Sequence, residues 1–231
     1  MSSGYTASSY NEKMNSKVFS AEEVQRSRML RGAQYNYFDQ TLRNERARCS
    51  TALARYNGAL ALTSGVSAEE AQDILAKVFD PSKDTTHNFK APCKERGILG
   101  PGVVIEENFK CTYGYNIRLG DNVFIGHHVT IDDSAKVNIG ARSWIGANVT
   151  ILTNDILTDI AFRKGTDGQP LKASPVDISS ECVIGCGAVI FPGVKLGRGC
   201  TVEPFAVVKH DLGEFIVQKV PVGAQMSATS G

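Results

Sequence analysis

The chain has 231 residues, with 25 Lys and Arg against 24 Asp and Glu, a formal net charge of +1 and 42% hydrophobic residues. That balance argues against nucleic acid and an electrostatic membrane surface as partners, and no run of about 20 apolar residues suggests a membrane span. The length suits one core domain with an appendage.

Residues 1–19 contain no apolar stretch of the signal-peptide type and read as a flexible arm, so a cytoplasmic setting is expected. Cys49, Cys93, Cys111, Cys182, Cys186 and Cys200 are then expected as reduced thiols. The C-x3-C spacing of Cys182 and Cys186 has no histidine near it and is a weak metal signal.

Residues 20–97 read as a helical region and linker. Ser20 and Glu23 form a capping signature for a helix over 21–29 that ends near Gly32. A second helix is expected from Gln40 to Tyr56, with Leu42, Ala47, Leu53 and Tyr56 toward the body, the arginines outward and Asn57-Gly58 as its end. Ser67 and Glu70 repeat the cap before a third helix over 68–78, which Asp80-Pro81 closes.

From residue 98 the period changes. Leu119, Ile125 and Ile131 are six apart, the register shifts by two across Ser134–Lys136, and it resumes at Ile139, Ile145 and Ile151. After a polar gap, Ile178, Ile184, Ile190, Leu196, Val202 and Val208 fall in one register, and Val176, Cys182, Ala188, Val194, Cys200 and Ala206 in a second. Neither a helix nor a flat strand repeats every six residues; a coil with three short sides per turn does. The fold expected is a left-handed parallel β-helix over 98–222, with an N-terminal α-helical region, a protruding loop at 152–175 and a flexible tail at 223–231. Small or aliphatic residues, Cys182 and Cys200 among them, would fill the bore, and Gly, Asn and Asp would turn the corners. By analogy from the fold, such coils pair their flat faces as a homotrimer, with a small-molecule site in the cleft between copies.

Several segments resemble the maltose/galactoside O-acetyltransferase family of hexapeptide-repeat acyltransferases. MLRGAQYNYFDQTLRNERARC with RYN is similar to that family's opening helices. KCTYGYNIRLGDNVFIGHHVTIDD is similar to its first rungs, and VIGCGAVIFPGVKLG to its closing rungs. The resemblance covers about residues 26–222. It implies acetyl transfer from acetyl-CoA to a sugar hydroxyl, with a loop histidine as general base. In this sequence Ile156 falls on that histidine, and no histidine lies between Val129 and Val208. His128 falls on an acceptor-binding asparagine, Tyr37 on an acceptor-binding aspartate and Val183 on a tryptophan. Pro204-Phe205-Ala206 brings bulk where pantetheine would pass, and the last basic residue of the family's C-terminal motif is missing. These departures imply no cofactor, and acetyl-CoA only if acetyl transfer survives.

The candidate catalytic residues are therefore His128, Tyr37, Asp133 and Arg163. His128 carries an imidazole, the side chain most often used for general acid/base proton transfer. Asp132 or Asp133 would orient an imidazole or cap a turn, and Arg163 would hold a carboxylate or stand solvated in the loop. His127, Tyr113, Trp144, Asn154, Asp155, Ile156 and Phe205 are the candidate substrate-binding residues, with plain packing as the alternative for the aromatic ones. Alternation is expected to send one of His127 and His128 inward. A zinc site on His87, His127 and His128 lacks the H-x4-H spacing, so no metal is expected. The leading reading is a diverged enzyme doing acid/base chemistry on a small metabolite, of isomerase, dehydratase or cyclase type. The alternatives are a CoA-dependent O-acetyltransferase acting on a sugar or other hydroxyl compound, and a non-catalytic binding or structural protein.

Overall fold

A computed structural model describes residues 24–61, 64–84, 93–156 and 170–220. Residues 1–19 and 223–231, expected as an arm and a tail, lie outside the described residues, as do Ser20, Glu23, His87 and Arg163. Among the described residues no helix is long and apolar enough to cross a membrane.

The hexads form a left-handed coil of parallel strands only two or three residues long, stacked on three faces. Ile178, Ile184 and Ile190 lie on three successive faces, and Leu196 returns to the first. Face one stacks Ile98–Leu99, Ile117–Leu119, Val137–Ile139, Val176–Ile178 and Lys195–Leu196. Face two stacks Val104–Ile105, Phe124–Ile125, Trp144–Ile145, Val183–Ile184, Thr201–Val202 and Val217–Gln218. Face three stacks Lys110–Cys111, Thr130–Ile131, Thr150–Ile151, Val189–Ile190 and Val207–Val208. The second residue of each short strand points into the bore, where Ile125, Ile131, Ile145, Ile151, Ile184 and Ile190 are fully buried. Cys182 and Cys200 fill the same core. A column of identical aliphatic contacts gives each rung its register, because slipping by one residue would expose every interior side chain.

Gly102, Gly187, Gly193 and Gly199 take positive φ in the coil, as do three asparagines, but other residue types do so too. His128, Arg142, Glu181, Phe205 and Phe215 adopt positive φ beside Asn108, Asn122 and Asn148. Two of these positions repay the strain by stacking. The Phe205 ring covers Gly187 and the Phe215 ring covers Gly199, where an added Cβ would sit 2.6 Å from ring carbons.

The helical region packs against one end and side of the coil. Helix α1 (Val24–Leu30) ends at Gly32, whose φ is +68°. Helix α2 (Gln40–Ala59) starts at Asp39, whose carboxylate accepts from the amides of Thr41 and Leu42. It runs past Asn57-Gly58, because Asn57 donates to the Phe109 carbonyl at 3.0 Å and tertiary contact outweighs the local stop signal. Leu42, Leu53 and Tyr56 face inward as expected, but Ala47 is exposed. Helix α3 (Ala68–Phe79) carries the Ser67/Glu70 capping box and ends at Asp80. Not every arginine points outward. Arg48 is buried and donates to the carbonyls of Lys77 and Val78 at the end of α3 and to that of Tyr113. Arg26 is buried against Glu45, which also accepts from the Tyr115 hydroxyl.

The polar gap is not an irregular excursion at its base. Asn154–Ile156 and Pro170–Ala173 pair antiparallel, and Tyr35–Asn36 from the helical region adds a third strand to Pro170–Ala173. This small sheet ties the protrusion to the helices.

Candidate functional site

The corner after Thr130–Ile131 is built by two aspartates. Asp133 is fully buried; one carboxylate oxygen accepts from the amides of Thr112 (2.9 Å) and Tyr113 (2.7 Å), the other from that of Asn116 (3.3 Å). Burial, with the nearby charge of Asp132, raises its pKa to about 7 against the pull of those amides. Asp133 is thus committed to the turn, and its expected role of orienting an imidazole gives way to the turn-capping one. Asp132 accepts from the Ser134 hydroxyl at 2.8 Å and from the amides of Ser134 and Asn154.

From this corner a hydrogen-bonded chain crosses to the protrusion. The Asn154 amide group donates to Ser134 Oγ at 2.8 Å, and Asn154 Oδ1 accepts from the Tyr35 hydroxyl. Tyr35 is buried, and burial pushes its phenol well above the ordinary value. Next to it, Arg46 of α2 donates to the Tyr113 hydroxyl and to the Tyr37 carbonyl, both at 2.8 Å, and its guanidinium lies 3.9 Å from the Tyr37 ring centroid. Tyr113 is fully buried, which holds its phenol neutral. Tyr37, Tyr113, Asn154 and Asp155 are therefore gathered along one seam of helical region, coil corner and protruding strand. Asp155 is exposed on that strand, and Ile156 is its last described residue.

The other candidates lie elsewhere. His127 and His128 both sit exposed at the corner between faces two and three; Val129, not a histidine, points inward. The alternation expected for the pair fails because the chain turns there, with His128 at φ 58°. His127 Nε2 is 3.0 Å from Glu106. Trp144 is half exposed on face two and stacks on Phe124 with ring centroids 3.9 Å apart. Phe205 is 75% exposed at the same corner column as His128. His128 and Asp132 stand at opposite ends of a short strand, roughly 13 Å apart at about 3.3 Å per residue. One chain does not bring them together.

Arg46, Tyr35 and Ser134 were absent from the sequence candidates. Tyr35 and Arg46 fall inside the helical motif already singled out, but only tertiary packing turns them to the seam.

Residues 28–82 match the maltose acetyltransferase hexapeptide capping motif, and residues 116–153 and 175–203 match the hexapeptide repeat of succinyl-transferase. Nodulation protein L of Rhizobium meliloti (strain 1021) is 33% identical over 203 residues, covering 88% of this chain and 93% of that protein. The chain belongs to the hexapeptide-repeat acyltransferases. A maltose O-acetyltransferase from Clostridium difficile 630 shares the fold at TM-score 0.69 with 27% identity, covering 84% of this chain and 90% of that one. A galactoside acetyltransferase in complex with coenzyme A matches at TM-score 0.69 and 22% identity, covering 84% of each chain, and so shows the fold. The expectation of no cofactor is overturned by these findings: the chain is an acyltransferase family member, and its fold recurs in a structure that holds coenzyme A. The bulk at Phe205 does not outweigh them, since its ring is stacked over Gly187.

Proposed function

We propose that this chain transfers an acyl group from coenzyme A to a hydroxyl of a small metabolite. The observation that carries the reading is family membership across nearly the whole length, with both the helical capping motif and the repeat matched. It is supported better than isomerase, dehydratase or cyclase chemistry, for which no residue geometry speaks. The surface residues suit the cofactor. On face two the outward column runs Trp144, Val183, Thr201 and Val217, exposed and apolar but for Thr201, as an extended pantetheine arm with its amides needs, and Lys219 is exposed beyond its end, as a phosphate needs. Bound acyl-CoA supplies the acyl group as a thioester.

The resemblance aligns Ile156 with the family's general base, and isoleucine accepts no proton. We assign that role to His128. Its imidazole takes the acceptor's hydroxyl proton as the oxygen attacks the thioester carbonyl, and returns it to the departing sulfur. The seam at Tyr37, Asn154 and Arg46 receives the acceptor. Because His128 and the seam are apart within one chain, the working site takes His128 from one copy and the seam from its neighbour in a homotrimer.

Calorimetry with acetyl-CoA tests the reading, followed by thiol release with a panel of small hydroxyl compounds. Saturable binding and turnover are expected, with kcat falling about 100-fold or more in His128→Ala. Absence of acetyl-CoA binding would refute it.

A further inference from the structure

Three described arginines are withdrawn from solvent: Arg26, Arg46 and Arg48. Arg26 pairs with Glu45, and Arg48 has Asp84 at 3.9 Å as well as three carbonyls. Arg46 is half buried and has no carboxylate partner among the described residues. Its two hydrogen bonds go to neutral oxygens, the Tyr113 hydroxyl and the Tyr37 carbonyl. Both use the terminal nitrogens. Nε makes no hydrogen bond among the described residues, so that edge of the guanidinium has no partner there.

A guanidinium that gives up part of its hydration normally has a counter-charge, because desolvating a cation without one is costly. Here the group is also held still. Tyr37 stacks on one side at 3.9 Å, and the buried Tyr113 hydroxyl fixes one terminal nitrogen. A fixed planar fork with one edge free matches a carboxylate in two parallel hydrogen bonds. The site beside it is aromatic, with Tyr37 half buried and Phe38 edge-on to it at 5.3 Å between centroids.

We propose that Arg46 binds the carboxylate of the acceptor, so that the acceptor is a small hydroxy acid rather than a neutral sugar. This rests on the seam being the acceptor side of the acyltransferase site. The carboxylate completes the ion pair that the described residues leave unmade, and the rest of the acceptor lies against Tyr37.

The test uses two near-isosteric probes, 3-hydroxybenzoate and 3-hydroxybenzamide, titrated calorimetrically into the wild-type protein without coenzyme A. The benzoate is expected to bind about tenfold tighter or more. Arg46→Met should abolish that preference, while Arg46→Lys, which keeps the charge but not the fork, should reduce it. Thermal unfolding of both variants checks that they are folded, and the wild-type pair of titrations decides the case even if Arg46→Met is not. Equal affinities, no binding of either probe, or a preference that survives in Arg46→Met would each overturn the proposal. Acetyl-CoA binding without a carboxylate preference would leave acyl transfer standing and remove only this inference; the reverse pattern would remove acyl transfer, and with it the acceptor, and leave Arg46 only as a carboxylate site.

Discussion

The buried carboxyl of Asp133 makes stability depend on pH in a direction opposite to that of most aspartates. Its folded pKa is about 7 against an ordinary 3.8, because desolvation and the neighbouring Asp132 outweigh three amide hydrogen bonds. Between those two values the unfolded chain has released a proton that the folded chain still holds. Stability therefore falls as pH rises through this window, at up to about 1.4 kcal/mol per pH unit, and levels off above pH 7. The full span, from 3.8 to about 7, corresponds to about 4 kcal/mol. Asp133→Asn removes the titration while nearly keeping the shape. Its amide oxygen can still accept from Thr112 and Tyr113, but its NH2 would face the Asn116 amide, a donor against a donor, at a pH-independent cost of about 1–3 kcal/mol. The assay is urea unfolding of both proteins at one fixed concentration from pH 4 to 8, taking the difference at each pH so that all other titrating groups cancel. The wild-type advantage should be largest at pH 4 and shrink steadily to pH 7. A difference that is flat, or that grows with pH, would show that the amides keep Asp133 ionised and would refute the reasoning.

Gly140→Ala should lower the urea midpoint strongly, by the equivalent of about 2 kcal/mol or more, since its Cβ would meet Ser180 N at 2.4 Å and the next rung cannot move without breaking its ladder. Tyr56→Phe removes a buried hydroxyl that donates to the Ile105 carbonyl at 2.6 Å, joining helix α2 to the coil; a loss of about 1–2 kcal/mol in the same unfolding assay is expected. Asn154→Ala cuts the link from Tyr35 to Ser134. It should reduce turnover by about tenfold or more with little change in acetyl-CoA affinity measured by calorimetry, because it loosens the acceptor side only.

The coil was legible because its physics is one-dimensional. A six-residue period can be read by counting, and each Ile in the register from Ile178 to Ile190 lies on the face that the count assigns. Even the two-residue shift near Ser134 has a structural cause, since that corner carries Asp132 and Asp133 and their hydrogen bonds to the rung before. The Ser67/Glu70 cap is equally local. The candidate site was legible only in part. Tyr37, Tyr113 and Asn154 come together, but Arg46 looks from sequence like any polar residue on an amphipathic helix. That no carboxylate among the described residues pairs with it is a property of the packed seam, and no spacing rule carries it. The histidine pair failed for a related reason. Alternation holds along a strand and stops at a corner, and the left-handed turn at His128 could not be told from a strand position when both neighbours were unknown.

Separation of His128 from the seam makes catalysis and assembly one question. If each working site joins the corner of one copy to the seam of the next, a variant damaged at the corner and a variant damaged at the seam each lose all sites, yet together they can rebuild some. His128→Ala alone should lose about 100-fold or more, and Tyr35→Phe/Asn154→Ala alone about tenfold or more. Co-expressed at equal levels, they should form mixed trimers in which a site is whole when the copy giving the corner is the seam variant and the copy giving the seam is the His128 variant. Random mixing makes about a quarter of sites whole. Acyl transfer by the mixture should recover to about that fraction of the wild-type rate, while simply combining the two purified trimers should recover none until subunits exchange. A site closed within one chain predicts no recovery from either mixture, because every chain would still carry one defect. Activity at about a quarter after co-expression, with sedimentation showing a trimer, is therefore an outcome that only a shared site produces.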